Sequence, residues 1–216
     1  MIQFEKMFNF MKKPWVMAVY TVLIILIYHF VDKPLAIYFH ELDLRTSLWV
    51  FKLLTTLGKV KIYLVLFGAA GLYFRYISKN SVYEARAWFL LACIIIPNLV
   101  CLILKVVLSR ARPDLLFSAD VFGFYWFKLS SEYWSLPSGH TTTVIALAAG
   151  LSVLFPKYFY AFIILAFFVI LSRVLLYFHY LSDVMTAFYL CILVIGALFK
   201  YIKNNNYLRK ASLSLR

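Results

Sequence analysis

Three short stretches of this chain hold side chains that could act together on one anion. They are Lys105 and Arg112, seven residues apart; Ser138-Gly139-His140; and Arg173, followed by His179 and Asp183. A phosphate ester needs positive charge and N–H donors at its non-bridging oxygens, a nucleophile in line, and an acid for the leaving oxygen. Its chemistry is catalysed mainly by positioning and electrostatics. Arginine offers a planar fork of donors suited to phosphate, and lysine adds a compact charge. A spacing of seven predicts that Lys105 and Arg112 share one helix face two turns apart, with Pro113 closing that helix. Ser138-Gly139-His140 precedes an apolar run, so it predicts a helix N-terminus whose N–H groups can face an anion, Gly139 allowing close approach. His179 and Asp183 stand at i, i+4 and would meet on one helix. A carboxylate on one ring nitrogen fixes the tautomer and leaves the other nitrogen free to attack.

Each stretch also has a plainer reading. Lys105 and Arg112 could snorkel to a membrane interface, Ser138 could simply cap a helix, and His179 with Asp183 could be a buried structural pair. A metal site is disfavoured, because two His and one Asp without an acidic cluster would share the place with three cations. Arg173, six before His179, is off its face on an unbroken helix, so either its side chain wraps round or the helix ends between them. Arg110 and Asp114 flank the first stretch and are possible substrate contacts. Thr141, Thr142 and Thr143 read as packing or intrahelical residues, and His29 and His40 as interfacial or packing residues.

The elements that must carry these residues follow from composition. Of 216 residues, 64% are hydrophobic and 14% charged, and the mean hydropathy is +0.86. Soluble domains are about 45–50% apolar and about 25% charged, so a soluble globular enzyme and a disordered chain are both excluded. Apolar runs long enough for a bilayer predict an all-α polytopic membrane protein of six spans: Trp15–Val31, about Ile62–Ile77, Ala87–Leu108, about His140–Phe155, Tyr158–Phe178 and about Asp183–Ile202. The first lacks a small-x-small cleavage site and reads as an uncleaved anchor. The amphipathic segment 42–57, with Leu44, Leu48, Phe51 and Leu54 in register, is predicted to lie in the interface plane. No repeat or linker divides the chain, so residues 1–216 form one membrane domain with its motif-bearing core at about 87–202. Cys93 and Cys101, about 12 Å apart on a helix, cannot bridge, and Cys191 stands alone.

The net charge of +13 is read as topology, not nucleic-acid binding. With six spans, one side carries Lys6, Lys12, Lys13, Arg75, Lys79, Arg86, Lys157, Lys200, Lys203, Arg209, Lys210 and Arg216 against Glu5 and Glu84, a net +10. The opposite side nets +3. The positive-inside rule then places both termini in the cytoplasm and all three reactive stretches on the outer face.

Taken together, Lys105-x6-Arg112-Pro113, Pro137-Ser138-Gly139-His140 and Ser172-Arg173-x5-His179-x3-Asp183 resemble the signature of the type 2 phosphatidic acid phosphatase superfamily, with every fixed position matched. The motifs cover residues 105–183, and the N-terminal fifth and C-terminal tail carry none. The resemblance implies a helical lipid phosphatase in which His179 attacks phosphorus to form a phosphohistidine, oriented by Asp183. It implies that His140 protonates the leaving oxygen and then activates water. Lys105, Arg112, Arg173, Ser138 and the Gly139 N–H would hold phosphate, without metal or other cofactor. The implied partners are the bilayer and a membrane lipid phosphate: undecaprenyl diphosphate, phosphatidylglycerol phosphate, phosphatidic acid or lipid A 1-phosphate, acted on at the periplasmic face of a bacterial inner membrane. A phosphotransferase passing the group to another lipid and a non-catalytic anionic-lipid binder are the alternatives. Trp126, Tyr133 and Trp134, in the 114–136 loop, are expected to anchor at headgroup level or help admit a lipid.

Overall fold

The computed structural model describes residues 3–205 apart from residue 48. Leu48 of the amphipathic pattern and Arg209, Lys210 and Arg216 of the charge count lie outside the described residues. The described chain is helical: α1 (Gln3–Met11), α2 (Pro14–Phe30), α3 (Asp32–Glu41), α4 (Leu44–Ser47), α5 (Trp49–Thr56), α6 (Val60–Tyr76), α7 (Ser81–Leu108), α8 (Pro113–Ala119), α9 (Gly139–Leu154), α10 (Phe159–Leu175) and α11 (Leu181–Asn204). Single 3₁₀ turns occupy Ser131–Tyr133 and Pro156–Tyr158.

α9 is the centre of the molecule, packed against α7, α10 and α11. It is apolar or small-polar all round, which marks a helix with no face to water or lipid. Residues Thr141 to Ala146, with Ala148, Ala149, Gly150, Ser152 and Val153, are all buried. Small side chains let neighbours approach closely, as helices in lipid require. A methyl at Gly150 would lie 3.0 Å from Leu90 and 3.3 Å from Cys93. Ile94, Ile145, Ile192 and Ile195, buried to 1% exposure or less, complete the core. Large apolar side chains such as Val65, Phe167 and Phe30 face outward, as they must in hydrocarbon.

The all-α membrane architecture is as expected, but the number of spans is smaller. Among the described residues four helices are long and apolar enough to cross a bilayer: Trp49–Tyr76, Ser81–Leu108, Pro156–Leu175 and Leu181–Asn204. A fifth exists only if α1 and α2, bent by 75°, are one span. α9 has 16 residues, about 24 Å at 1.5 Å per residue. It is apolar but shorter than the four long helices. The segment 42–57 is not one interfacial helix: its second half, α5, runs on toward α6 within the 28-residue candidate span Trp49–Tyr76. The three cysteines are free and buried.

Candidate active site

The first reactive stretch is shaped by a helix that stops early. α7 ends at Leu108, and Ser109 adopts a left-handed conformation (φ 43°) that turns the chain. Its hydroxyl donates to Val106 O (2.8 Å) and Lys128 O (3.1 Å) and accepts from Lys128 N–H. Arg112 is therefore not on the helix face of Lys105. It is extended (φ −78°, ψ 160°) and caps α8, whose first residue is Pro113. Pro113 starts a helix here instead of ending one, in keeping with the preference of proline for the first helical position. Lys105 remains inside α7 and donates to Trp134 O at 2.5 Å.

Ser138 caps α9. Its hydroxyl accepts from Thr141 N–H (3.4 Å) and Thr141 Oγ1 (3.1 Å), and its own N–H donates to Asp183 O at 3.3 Å. The capping and anion-site readings of this tripeptide thus share one geometry. Thr142 and Thr143 donate back to Ser138 O and Gly139 O, the intrahelical role expected of them. Gly139 lies against Lys105: a methyl there would sit 3.7 Å from Lys105 Cε.

α10 ends at Leu175, short of the expected Phe178. The chain then folds back so that the N–H groups of Phe178 and His179 both donate to Arg173 O, at 3.1 and 3.2 Å. That turn brings His179 alongside Arg173, which an unbroken helix could not do. His179 precedes α11, and Tyr180 is the cap. The His179–Asp183 pair therefore arises from capping geometry and not from a shared helix face. Asp183 Oδ2 accepts from Tyr180 N–H (2.9 Å) and Ser135 Oγ (2.5 Å) and faces His179 Nδ1 at 3.6 Å.

The three elements meet around His179. It is 3% exposed. Burial first, and then the charges of Arg112, Arg173, Lys105 and His140, hold its imidazole well below the usual histidine range, so it is neutral near pH 7. Arg112 is likewise pushed below its ordinary value by burial, with Asp114 and Asp183 opposing. Among the described residues no carboxylate pairs with Lys105, Arg112 or Arg173. The buried Nε atoms of Arg112 and Arg173 have no acceptor. Buried charges without an ion-pair partner are costly; the described acceptors of Lys105 and Arg173 are the neutral Trp134 O and Thr55 Oγ1. Asn98, Leu99 and Leu102 of α7 line an apolar groove of about 330 Å³ with Val60 and Leu64 of α6, and the groove ends on Lys105 and Gly139.

Sequence reasoning missed the residues that come to the site from upstream. Arg173 Nη1 donates to Thr55 Oγ1 at 2.5 Å. Gly58 presses on His140: a methyl there would lie 2.5 Å from His140 Cδ2 and 2.7 Å from its Cβ. Arg45 donates to Leu176 O (2.8 Å) and Tyr177 O (3.0 Å), pairs with Asp114 (2.6 Å), and stacks on Tyr177 and Phe178. Asp114 is thus engaged with Arg45. Arg110, expected as a possible substrate contact, is fully buried and paired with Asp32 (2.8 Å) and Asp183 (2.6 Å). It is closed to substrate. The sequence signals for these were an acid, Asp32, at the end of an apolar run in a chain with nine acids, and the resemblance of the Asp32-x-Pro34 to Gly58 stretch to bacterial inner-membrane members of the phosphatase superfamily, neither of which assigns them to the site. His40 stacks on Phe117 at 3.9 Å and His29 lies edge-on to its neighbour Tyr28, and both are exposed. Tyr133 packs edge-on to Tyr125, and Trp134 reaches the site through its carbonyl.

Residues 86–207, more than half of the chain, match the model of the PAP2 superfamily. The chain belongs to the PAP2 superfamily. All eight candidate site residues fall inside the PAP2 match, whereas Asp32, Arg45, Thr55 and Gly58 precede it. The chain is also 40% identical over 96 residues to a lipid A 1-phosphatase of Rhizobium johnstonii, covering 44% of this chain and 39% of that protein. It is 38% identical over 96 residues to a lipid A 1-phosphatase of Rhizobium etli, covering 44% and 41%. The chain spans about two fifths of the length of these curated relatives. No solved structure matches it.

Proposed function

We propose that the chain is a membrane lipid phosphate phosphatase working through a phosphohistidine on His179. The observation that carries this reading is a buried His179 with Asp183 facing its Nδ1, in the field of Lys105, Arg112 and Arg173, none of which pairs with a carboxylate among the described residues. A phosphate dianion is the group that satisfies such a cluster, and neutral imidazole is the form that can attack it.

Asp183 faces Nδ1, so Nε2 is the attacking atom. It forms an N–P bond as the bond from phosphorus to the leaving oxygen breaks, and His140 gives that oxygen a proton. In the second step His140 takes a proton from water, whose oxygen attacks phosphorus and breaks the N–P bond, returning inorganic phosphate and free His179. Lys105, Arg112 and Arg173 stabilise the charge on the non-bridging oxygens throughout, aided by Ser138 and the Gly139 N–H. The 3.6 Å gap between His179 Nδ1 and Asp183 is of the kind that closes when substrate binds. Asp183 then stabilises the cationic phosphohistidine.

A lipid's acyl chains would reach the phosphate subsite sideways from the bilayer, along the groove between α6 and α7 that ends on Lys105 and Gly139. Counting α2 and the shorter apolar α9 with the four long helices gives six crossings, and on that count the positive-inside rule would put the site on the periplasmic face and both termini in the cytoplasm. The two lipid A 1-phosphatases make lipid A 1-phosphate the first substrate to try. Undecaprenyl diphosphate, phosphatidylglycerol phosphate and phosphatidic acid present the same phosphate to the same cations.

The test is phosphate release from each of these four lipids in detergent, by the wild type and by His179→Ala, with and without an acceptor lipid. Release by the wild type and its loss in the variant support the reading. Transfer to the acceptor instead of release would make the protein a phosphotransferase. Binding of the lipids without turnover by either protein would make it a binding protein.

A further inference from the structure

We propose that Asp32 is a positioning residue for the His179–Asp183 pair, acting through Arg110 and Ser182. This deepens the phosphohistidine reading and rests on it. Asp183 has two oxygens with separate duties. Oδ2 caps α11 through Tyr180 N–H, takes the Ser135 hydroxyl, and faces His179. Oδ1 is held by Arg110 Nη1 at 2.6 Å. The orientation of the carboxylate, and with it the direction presented to the imidazole, is therefore set from the Arg110 side.

Arg110 is held in turn from α3. Its Nη2 donates to Asp32 Oδ2 at 2.8 Å, and its Nη1 also donates to Ser182 Oγ at 2.7 Å. Asp32 Oδ1 accepts the Ser182 N–H at 3.0 Å, and Asp32 Oδ2 accepts the Ser182 hydroxyl in a short contact. Asp32 thus caps the first turn of α11 from 150 residues away while gripping the guanidinium that grips Asp183. The guanidinium also lies over the Tyr180 ring at 4.3 Å and the Tyr28 ring at 4.8 Å. Arg110, Asp32 and Asp183 are all fully buried, so their geometry is over-determined and their charges are little screened.

The charge balance gives the network a function beyond packing. With one carboxylate, Arg110 would neutralise Asp183. With both carboxylates ionised the trio carries one net negative charge and Asp183 keeps charge to offer the imidazole; burial and Asp183 push the Asp32 carboxyl upward, while Arg110 and the Ser182 hydroxyl favour its charged form. Facing His179 from the other elements are Lys105 on α7, Arg112 before α8, His140 on α9 and Arg173 at the end of α10. Asp32 is the residue that lets a carboxylate beside a buried arginine still support a positive phosphohistidine.

The experiment compares wild type, His179→Ala, Asp32→Asn, Asp32→Glu and Ser182→Ala in lipid phosphate release, per monodisperse full-length protein in detergent. Asp32→Asn keeps the shape and removes the charge. Its expected effect is a kcat loss of about ten- to a hundredfold, by analogy with the scale on which hydrogen-bonding partners of metal-bound imidazoles act. KM should stay within about threefold, because the phosphate ligands are untouched. Asp32→Glu is expected to recover part of kcat. Ser182→Ala keeps all charges and loses the hydroxyl shared by Asp32 and Arg110, with an expected kcat loss of about threefold or more. An Asp32→Asn kcat within twofold of wild type, beside an inactive His179→Ala, would overturn the proposal and leave the phosphohistidine reading intact. So would a rise in KM that accounts for the whole loss. If Asp32→Asn does not yield monodisperse protein, Ser182→Ala decides, and an unchanged kcat overturns the proposal. A wild type that releases no phosphate from any lipid would overturn the phosphohistidine reading and this proposal with it.

Discussion

Gly58→Ala separates the placement of His140 from every other feature of the site. The added methyl would lie 2.5, 2.7 and 2.8 Å from Cδ2, Cβ and Cγ of His140. Carbon pairs settle at about 3.5–4.0 Å, so roughly 1 Å of separation is required. The ring cannot supply it by rotating, because the His140 Cβ, fixed to the α9 backbone, is itself too close. The α5–α6 connection must part from α9 and carry the His140 side chain out of register with His179. A misplacement of about 1 Å costs on the order of a hundredfold in rate, about 2.7 kcal/mol of barrier. Overpacking costs about 1–3 kcal/mol of stability, offset by about 0.4–1 kcal/mol from a less flexible unfolded chain. The assay is kcat/KM for lipid phosphate release together with thermal unfolding in detergent. The control is Gly68→Ala in α6, where nothing lies within 4 Å of the new methyl. That control should keep wild-type kcat/KM and gain up to about 1 kcal/mol from helix propensity. A Gly58→Ala protein with wild-type kcat/KM would refute the claim that His140 acts from the position α5–α6 imposes.

Two further outcomes test the electrostatics. Burial and the surrounding cations hold His179 below its ordinary value, so below about pH 6.5 the unfolded chain takes up a proton that the folded chain does not. Stability should therefore fall as pH drops from 7 to 5, by up to about 1.4 kcal/mol per unit from this group, and His179→Asn should flatten that slope in pH-resolved unfolding; an unchanged slope would show His179 not to be the group. Arg45→Met removes the donors to Leu176 O and Tyr177 O and loosens the loop before His179. About 2 kcal/mol of destabilisation is expected, little of it from the half-exposed Asp114 pair, with a lowered kcat, and a Tm and kcat equal to wild type would show that the loop needs no such brace.

The motif residues were legible because charge is scarce in this chain and their spacings are local. Lys105, Arg112, Ser138, Gly139, His140, Arg173, His179 and Asp183 each stand near the end of an apolar run, where a polar residue has to have a reason. The helix-face argument built on those spacings held less well. Lys105 and Arg112 converge across a left-handed turn at Ser109, and His179 meets Asp183 through a helix cap. Periodicity assumes an unbroken helix, and the candidate catalytic groups here sit where helices break. The expected six spans exceed the four or five that pass on length because two of them rest on α9, a 16-residue apolar helix buried among its neighbours, and α2, which passes only together with α1.

Arg110 marks the limit of such reading. Within eight residues the chain places three cations, Lys105, Arg110 and Arg112, and nothing in their types tells them apart. What separates them is which carboxylates reach them. Asp32 and Asp183 arrive from 78 residues upstream and 73 downstream and pair with Arg110, while Lys105 and Arg112 pair with no carboxylate among the described residues. That division is decided by long-range contacts, and one of the two carboxylates comes from a segment before the PAP2 match. Asp32, Arg45, Thr55 and Gly58 reach respectively the Arg110–Asp183 link, the turn before His179, Arg173 and His140. The candidate site residues thus sit inside the family core, but the contacts that fix their geometry come in good part from the N-terminal segment. A truncation that kept only residues 86–207 would retain all eight motif residues and lose the parts that hold them in place.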